Sequence, residues 1–380
     1  MNQDKYRILH LRKYFERDAP LSISYVRGVD NERFTHIICY LGRNKGRENI
    51  LTKHGYETIY LGFDRKSTEH FNLRLLFRLS RLLREKKIDI IHCQKHKPTM
   101  YGTIAAFLAG RIPVIAHIHG LGRTRTFQRR LANWILLRGV SKIIAVSDSV
   151  RQDALQTNWW LNPGKIITVR NCVDIDAIDR QKNSRKEARS KLGISGEEFV
   201  FGTVGRLVPT KGQRFLIDAY AQVKKKIPHA RLVIIGDGPL ARELQEKAKQ
   251  LNAFEDIIFT GYRRDVLELL IAFDVFVLPS LAEGLSIALL EAMARGLPVI
   301  ASKVGGIPEV CGENACSILV APQNVSALAF AMVNIASLDE KERKNLGANA
   351  RQRIKDEFSV DMMVGKLTDI YHSTLQEQKR

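Results

Sequence analysis

The sequence holds no apolar run of eighteen residues, and its opening stretch, MNQDKYRILHLRKYF, contains no hydrophobic segment of leader length. Both absences argue against a membrane-spanning chain and against export by a standard signal. Cysteine is scarce and odd in number: Cys39, Cys93, Cys172, Cys311 and Cys316, with no CxxC pair. That excludes a disulfide-stapled scaffold and a zinc ribbon, and it suits a reducing compartment. There is no GxGxxG, no GxxxxGK[ST], no repeat, no heptad array and no low-complexity tract. Acidic residues are too few to balance the basic ones. Only 40 Asp plus Glu stand against 60 Lys plus Arg, a net charge of +20.

What is present describes a folded protein. The chain has 380 residues, 45% of them apolar and 26% charged, which suits two ordinary domains. Residues 1–180 hold 32 Lys plus Arg and 16 Asp plus Glu, so +16 of the +20 lies in the first half. Such a surplus points to a polyanion or a negatively charged surface and says nothing about fold.

Short β-like runs alternate with longer amphipathic stretches. The first set predicts strands over Ile8–Leu11, Thr35–Leu41, Thr58–Leu61, Ile88–His92, Val114–His117, Ile143–Ser147 and Ile166–Val169. Helices are expected over Leu73–Lys87, where leucines face one side and arginines the other, over Pro98–Leu108 and over Phe127–Leu137. A polar segment, Arg180–Lys191, could join two domains. Strands then resume at Val200–Val204, Arg231–Ile235, Ile257–Phe259, Val275–Leu278 and Val299–Ala301, with helices at Gln213–Lys226, Leu240–Leu251, Arg264–Ala272 and Ser286–Ala294. This order predicts α/β architecture: two Rossmann-like domains, residues 1–180 and 181–380, each with a mostly parallel sheet. The last helix could pack back on the first domain.

Four stretches could carry chemistry. Gly205-Arg206-Leu207-Val208-Pro209-Thr210-Lys211-Gly212 follows a strand and precedes a helix. A glycine turn, a helix N-terminus and two mobile cations make a diphosphate clamp, or simply a solvated loop. Gly236-Asp237-Gly238-Pro239 reads either as a ligand-facing crossing loop or as a tight strand-to-helix turn. In the third stretch, Glu283 and Glu291 flank seven residues, with Ser286 expected to cap the helix that carries Glu291. A carboxylate in so apolar a helix can accept paired hydrogen bonds from vicinal hydroxyls, as on a ribose or a sugar. The alternative is a salt-bridged structural pair. The fourth is His117-Ile118-His119-Gly120, where His119 fits a hydrogen-bond donor at a cleft better than a metal ligand. Asp174-Ile175-Asp176 reads as turn-forming rather than metal-binding.

Taken in order, these stretches resemble the GT-B-fold retaining glycosyltransferases of the family 4 type, which include bacterial lipopolysaccharide, capsule and glycolipid sugar transferases. The likeness is carried by the run Asp274–Ser280 with Glu283 and Glu291, by Gly296–Ala301, by Gly305-Gly306-Ile307-Pro308-Glu309 and by Asn171-Cys172-Val173-Asp174. The resemblance implies two Rossmann-like domains facing each other across a deep cleft, the first binding acceptor and the second binding a nucleotide-sugar donor. It implies that Glu291 holds the ribose hydroxyls and that Glu283 faces the donor sugar. Arg206 and Lys211 stabilise the diphosphate as charge grows on it. Gly205, Gly305 and Gly306 admit the phosphates and sugar by close backbone approach, and Tyr262 lies near the base. His119 stands near the transferred sugar, and Ser147 at the first domain's cleft edge. No divalent metal and no cofactor are implied, and a UDP-sugar is favoured over a GDP-sugar. One departure is visible: the family's glycine pair after the first strand is missing, since no glycine precedes Gly28 and the turn would rest on Ala19, Pro20 and Leu21.

The expected partners are therefore a nucleotide sugar and a saccharide or lipid-linked anionic acceptor. The basic first half, including Arg123, Arg125, Arg129 and Arg130, would make transient contact with an anionic membrane surface. The expected location is cytoplasmic, on the inner face of the inner membrane. From charge alone the rival is a nucleic-acid-binding module, but no basic recognition helix, RNP-like aromatic pair or zinc knuckle supports specific binding. A nucleotide-sugar epimerase of the same fold is the other alternative.

Overall fold

A computed structural model describes residues 5–15, 26–44, 46, 48–64, 71–122, 127–196, 198–312 and 317–379. The chain divides into two compact units, one of residues 1–171 and 360–380, the other of residues 172–359. The last helix, Val360–Lys379, thus belongs with the first unit. Among the described residues no helix is long and apolar enough to cross a membrane.

In the first unit seven parallel strands form one sheet in the order β3-β2-β1-β4-β5-β6-β7. They are β1 (Tyr6–Arg12), β2 (Phe34–Gly42), β3 (Glu57–Phe63), β4 (Ile90–Gln94), β5 (Val114–Ile118), β6 (Lys142–Ala145) and β7 (Ile166–Thr168). Strands buried on both faces read as continuous apolar runs, which is why these stood out. The helix Leu73–Glu85 starts where the Asn72 side chain accepts from the Leu75 N–H at 3.1 Å. It buries Leu75, Leu76, Leu79 and Leu83 and leaves Arg74, Arg78, Arg81 and Arg84 in solvent. From the last helix, Tyr371 is fully buried and meets Phe34 edge-on at 5.7 Å.

The second unit holds six parallel strands in the order β10-β9-β8-β11-β12-β13. These are β8 (Phe199–Val204), β9 (Ala230–Ile235), β10 (Ile257–Gly261), β11 (Val275–Leu278), β12 (Val299–Ser302) and β13 (Ser317–Val320). The chain runs outward from β8 through β9 to β10, then returns to β11 on the other side of β8.

Three local expectations are corrected. The polar segment Arg180–Lys191 is not a free linker but part of the second unit, with a helix at Arg185–Lys191 opened by a Ser184–Glu187 capping box. Arg185 and Arg189, one turn apart, both bind Asp274 at 2.5 and 2.9 Å, and the same carboxylate accepts from the Val200 N–H at 2.8 Å. The segment read as a linker because the acid that neutralises it lies more than eighty residues further on. Asp174 is a helix cap rather than a simple turn, accepting from the Ala177 N–H at 2.8 Å ahead of Ile175–Asp179. The helix expected over residues 264–272 is a short turn, Val266–Leu269, followed by a 3-10 turn, Leu270–Ala272.

Removing Asp274 would leave two arginines and a backbone N–H without their shared acceptor. Asp274→Ala should destabilise the second unit by about 3 kcal/mol, read as a lower denaturant midpoint by circular dichroism. An unchanged midpoint would show that the carbonyl contacts of Arg185 and Arg189 hold the helix Arg185–Lys191 without Asp274.

Candidate active site

In open α/β sheets, ligand crevices form at the carboxyl ends of the strands where successive connections diverge. In the second unit that point lies between β8 and β11. The loop leaving β8 carries Gly205, Arg206 and Lys211. The loop leaving β11 carries Ser280 and Glu283. They touch directly: the Leu281 N–H donates to the Thr210 carbonyl at 2.8 Å, and Lys211 Nζ reaches Glu283 Oε1 at 2.5 Å. The Ser280 hydroxyl donates to the same carboxylate oxygen at 2.8 Å. From the loop after β12, the Gly306 N–H donates to the Glu283 carbonyl at 3.4 Å. Gly205, Lys211, Glu283 and Gly306 are thus brought together, with Gly305 adjoining.

Two glycines make this packing possible. A Cβ on Gly212 (φ +67°) would stand 2.0 Å from the Pro279 carbonyl oxygen, and one on Gly236 (φ +147°) 1.9 Å from that of Gly205. The Gly236–Pro239 stretch is therefore a main-chain brace for the β8 loop, as the tight-turn alternative requires. The Leu207 N–H donates to the Asp237 carbonyl at 3.0 Å and completes the brace.

The charges of the site are unequal. Glu283 is nearly buried, its side chain 9% exposed, and its charge is matched by Lys211. Arg206 is exposed, and among the described residues its guanidinium has no ion pair or hydrogen bond; only its carbonyl is engaged, by Gln213 Nε2 at 3.2 Å. Glu291 sits on the helix Ile287–Ala294 among buried Leu289, Leu290, Ala292 and Met293. Burial pushes its carboxyl up to about 7. Among the described residues no side chain or backbone donor bonds that carboxylate, so the salt-bridged alternative has no support for Glu291. Ser286 does occupy the cap position of this helix, but its side chain makes no capping hydrogen bond. Tyr262 stands apart, 45% exposed at the end of edge strand β10, with β9 between it and β8.

In the first unit the corresponding divergence lies between β1 and β4. The glycine-free turn with Ala19, Pro20 and Leu21 lies outside the described residues, as do Arg123, Arg125 and Cys316. His119 directly follows β5, its Nε2 2.7 Å from Gln94 Oε1 at the end of β4. Beneath it lies a row of imidazoles. His117 stacks on His119 at 4.3 Å, His117 Nδ1 meets His92 Nε2 at 3.1 Å, and His92 Nδ1 meets the Tyr371 hydroxyl at 2.7 Å. His10, opposite His92 in the β1–β4 pairing, meets His36 at 3.0 Å. Burial lowers His36 to about 4 and His92 to about 3, and it holds His10 and His117 well below the ordinary range. These rings are therefore neutral at physiological pH. Gln94, Tyr371 and the deeper histidines were not singled out from the sequence; the available signal was a polar residue recurring inside apolar strands.

Two family models cover most of the chain: Glycosyltransferase Family 4 matches residues 26–177, and Glycosyl transferases group 1 matches residues 184–353. A curated relative from Escherichia coli, UDP-Gal:alpha-D-GlcNAc-diphosphoundecaprenol alpha-1,3-galactosyltransferase, is 29% identical over 79% of each chain. N-acetyl-alpha-D-glucosaminyl L-malate synthase of Bacillus anthracis is 27% identical over 81% of each. In fold, the chain matches Anabaena HepE in its complex with UDP-glucose, with TM-score 0.83 and 24% identity over 97% of this chain and 99% of that one. The chain belongs to the GT-B-fold glycosyltransferases of the family 4 type. It is a glycosyltransferase.

Glu291 also sets a stability expectation. Its folded carboxyl titrates above the ordinary value, so the folded state binds the extra proton between about pH 4.5 and 7, and stability falls as pH rises through that window. Glu291→Gln should raise the unfolding free energy of the ligand-free protein at pH 8 by up to about 3 kcal/mol, read from denaturant titration, and change it little at pH 4. Equal effects at both pH values would mean that the carboxyl is not desolvated.

Proposed function

We propose that the protein is a retaining, metal-independent glycosyltransferase. It moves a hexose or N-acetylhexosamine from a nucleoside diphosphate sugar to a saccharide or lipid-linked acceptor in cell-surface glycan synthesis. The observation that carries this reading is the Lys211–Glu283 cluster at the divergence of β8 and β11, with Arg206, unpaired among the described residues, on the same loop as Lys211. A UDP-sugar is the preferred donor, supported by the E. coli relative that uses UDP-Gal.

In this reading the second unit binds the donor and the first the acceptor. Glu291 accepts hydrogen bonds from the ribose hydroxyls, Tyr262 flanks the base, and Gly205, Gly305 and Gly306 let main chain approach the diphosphate and sugar. Arg206 and Lys211 offset the charge that develops on the leaving diphosphate, the largest electrostatic demand of the reaction. They supply positive charge where another enzyme would use a divalent metal. Glu283, neutralised by Lys211, acts by binding and electrostatics, so the acceptor attacks from the face the diphosphate leaves, and the donor phosphate takes the acceptor proton. His119 stands beside the transferred sugar. Arg206→Ala, Lys211→Ala and Glu283→Ala should each reduce nucleotide release at least a hundredfold with unchanged circular dichroism, and wild-type turnover should persist in EDTA. Near-normal transfer by all three variants would sink the assignment.

The acceptor is lipid-linked or anionic, and the first unit docks transiently on the anionic inner face of the membrane. The support is an exposed surface where apolar and cationic groups alternate: Phe77 between Arg74 and Arg81, and Leu131, Trp134 and Ile135 beside Arg129 and Arg130. Arg138 lies over the Trp134 ring at 3.9 Å. Such a surface suits lipid headgroups, each cation contributing about 1 kcal/mol near an anionic leaflet. Binding to vesicles containing 30 mol% phosphatidylglycerol should exceed binding to neutral vesicles and weaken with salt; indifference to both would remove the membrane from the reading.

A further inference from the structure

We propose that the first unit carries a lipid site apart from the reaction: a groove at the amino ends of β5 and β6 that takes one acyl chain of an anionic phospholipid, with the phosphate against Arg111. The membrane setting rests on the docking proposed above; the groove itself does not.

The groove has a volume of about 550 Å³. Its walls come from the helix His96–Leu108, the helix Phe127–Leu136 and the end of the last helix. Its lining is mainly apolar, with Ile104, Phe107, Ile112, Pro113, Ile135 and Leu136. Pro113 and Ser141, which also lines it, directly precede β5 and β6. His119 follows the opposite end of β5, so the strand's five residues, about 17 Å, separate it from the groove. A chain held here therefore lies away from the ring assigned to the sugar. Ile135 also shares the exposed surface of Leu131 and Trp134, so the groove is continuous with the face that meets the membrane.

The rim supplies cations without acids to match. The turn ending the helix His96–Leu108 fixes Arg111 at φ +62°, its N–H donating to the Ala106 carbonyl at 2.9 Å. The Arg111 guanidinium lies 5.7 Å from the Phe107 ring. Arg138, one residue before the lining Gly139, lies 3.9 Å over the Trp134 ring. Among the described residues neither guanidinium has a carboxylate partner. The acid in the lining, Glu377, is taken by Lys142 at 2.6 Å. Two arginines resting on aromatic rings beside an apolar slot match the anionic head and hydrocarbon chain of one lipid molecule.

Size favours a chain over a protein helix. One helical turn with its side chains, ~11 Å across and 5.4 Å tall, already fills roughly 500 Å³. A helix laid in a groove is held by anchors spread over two or more turns. A single hydrocarbon chain is slimmer and needs no hydrogen-bond partners along its length.

The test is titration calorimetry of the full chain with monoacyl phosphatidylglycerols kept monomeric. Affinity should rise about tenfold for each two methylenes added between hexanoyl and decanoyl chains. Glycerophosphoglycerol, the same head without a chain, should show no binding, and octanoyl lysophosphatidylcholine should bind at least tenfold more weakly than its phosphatidylglycerol counterpart. Arg111→Gly, which suits the left-handed backbone, should weaken the octanoyl lipid at least fivefold. Ile104→Trp, which fills the slot, should abolish binding, and Ile135→Asn, at an exposed position, should weaken it with unchanged circular dichroism. Equal affinity for all chain lengths, or wild-type affinity in both Arg111→Gly and Ile135→Asn, would overturn the proposal. So would a wild-type dimer in sedimentation that Ile135→Asn splits, since a second copy would then own the groove. Monomer binding without vesicle binding would support the groove and remove the membrane; vesicle binding without chain-length dependence would do the reverse.

Discussion

The donor-side architecture depends on one crowding constraint: three stretches of main chain meet at the carboxyl end of β8 closer than any side chain permits. Gly212 lies against Pro279, and Gly236 against Gly205. The β8 loop is therefore clamped from both sides, by the turn after β9 and by the loop after β11. Arg206 and Lys211 leave a backbone that cannot drift. Lys211 is further held by Glu283, and Glu283 by Ser280. Charges oriented before substrate arrives need no reorganisation when charge develops, which is the condition for strong electrostatic stabilisation. The cost falls on Glu291, whose partly buried carboxyl is desolvated and has no hydrogen-bond partner among the described residues. That is the pattern expected where stability yields to function.

Much of this was readable in the sequence, because it is local. The strand ends, the glycine turns and the two glutamates announce themselves within windows of fifteen residues, and the helix expected at Gln213–Lys226 has those bounds. What escaped is whatever depends on a distant partner. The arginines of the segment 180–191 looked like solvated linker charges until Asp274 closed on them. Lys211 and Glu283 were each expected at the donor, but their direct pairing spans 72 positions. The Gly236–Pro239 turn could not be told from a ligand loop, since both need glycine at a strand end. What the fold adds is its packing on the main chain of Gly205 and Leu207.

The imidazole row shows the same limit more sharply. His36, His10, His92 and His117 come from β2, β1, β4 and β5, and strand register alone aligns them. Apart from His117, which the pair with His119 marks out, each histidine looks like an incidental polar residue in an apolar strand. Together they form a buried, uncharged polar layer, which is tolerable because most of its nitrogens pair within the row or with Tyr371. Tyr371 arrives from the end of the chain, so the first unit is incomplete until the last helix is in place.

The two units thus solve different electrostatic problems. In the second, the site is charged and largely matched, with Arg206 left over for an anion. In the first, the imidazoles beneath His119 are neutral, burial and the nearby Arg12 both opposing their protonation, although this half of the chain carries most of the positive surplus. Among the described residues, part of the surplus lies on solvent-facing helices: Arg74, Arg78, Arg81 and Arg84 on one, Arg129 and Arg130 on another. Charge placed there stays away from the buried imidazoles. It acts on whatever approaches from outside. A net charge of +20 is therefore evidence about the surface the protein meets rather than about the reaction it performs.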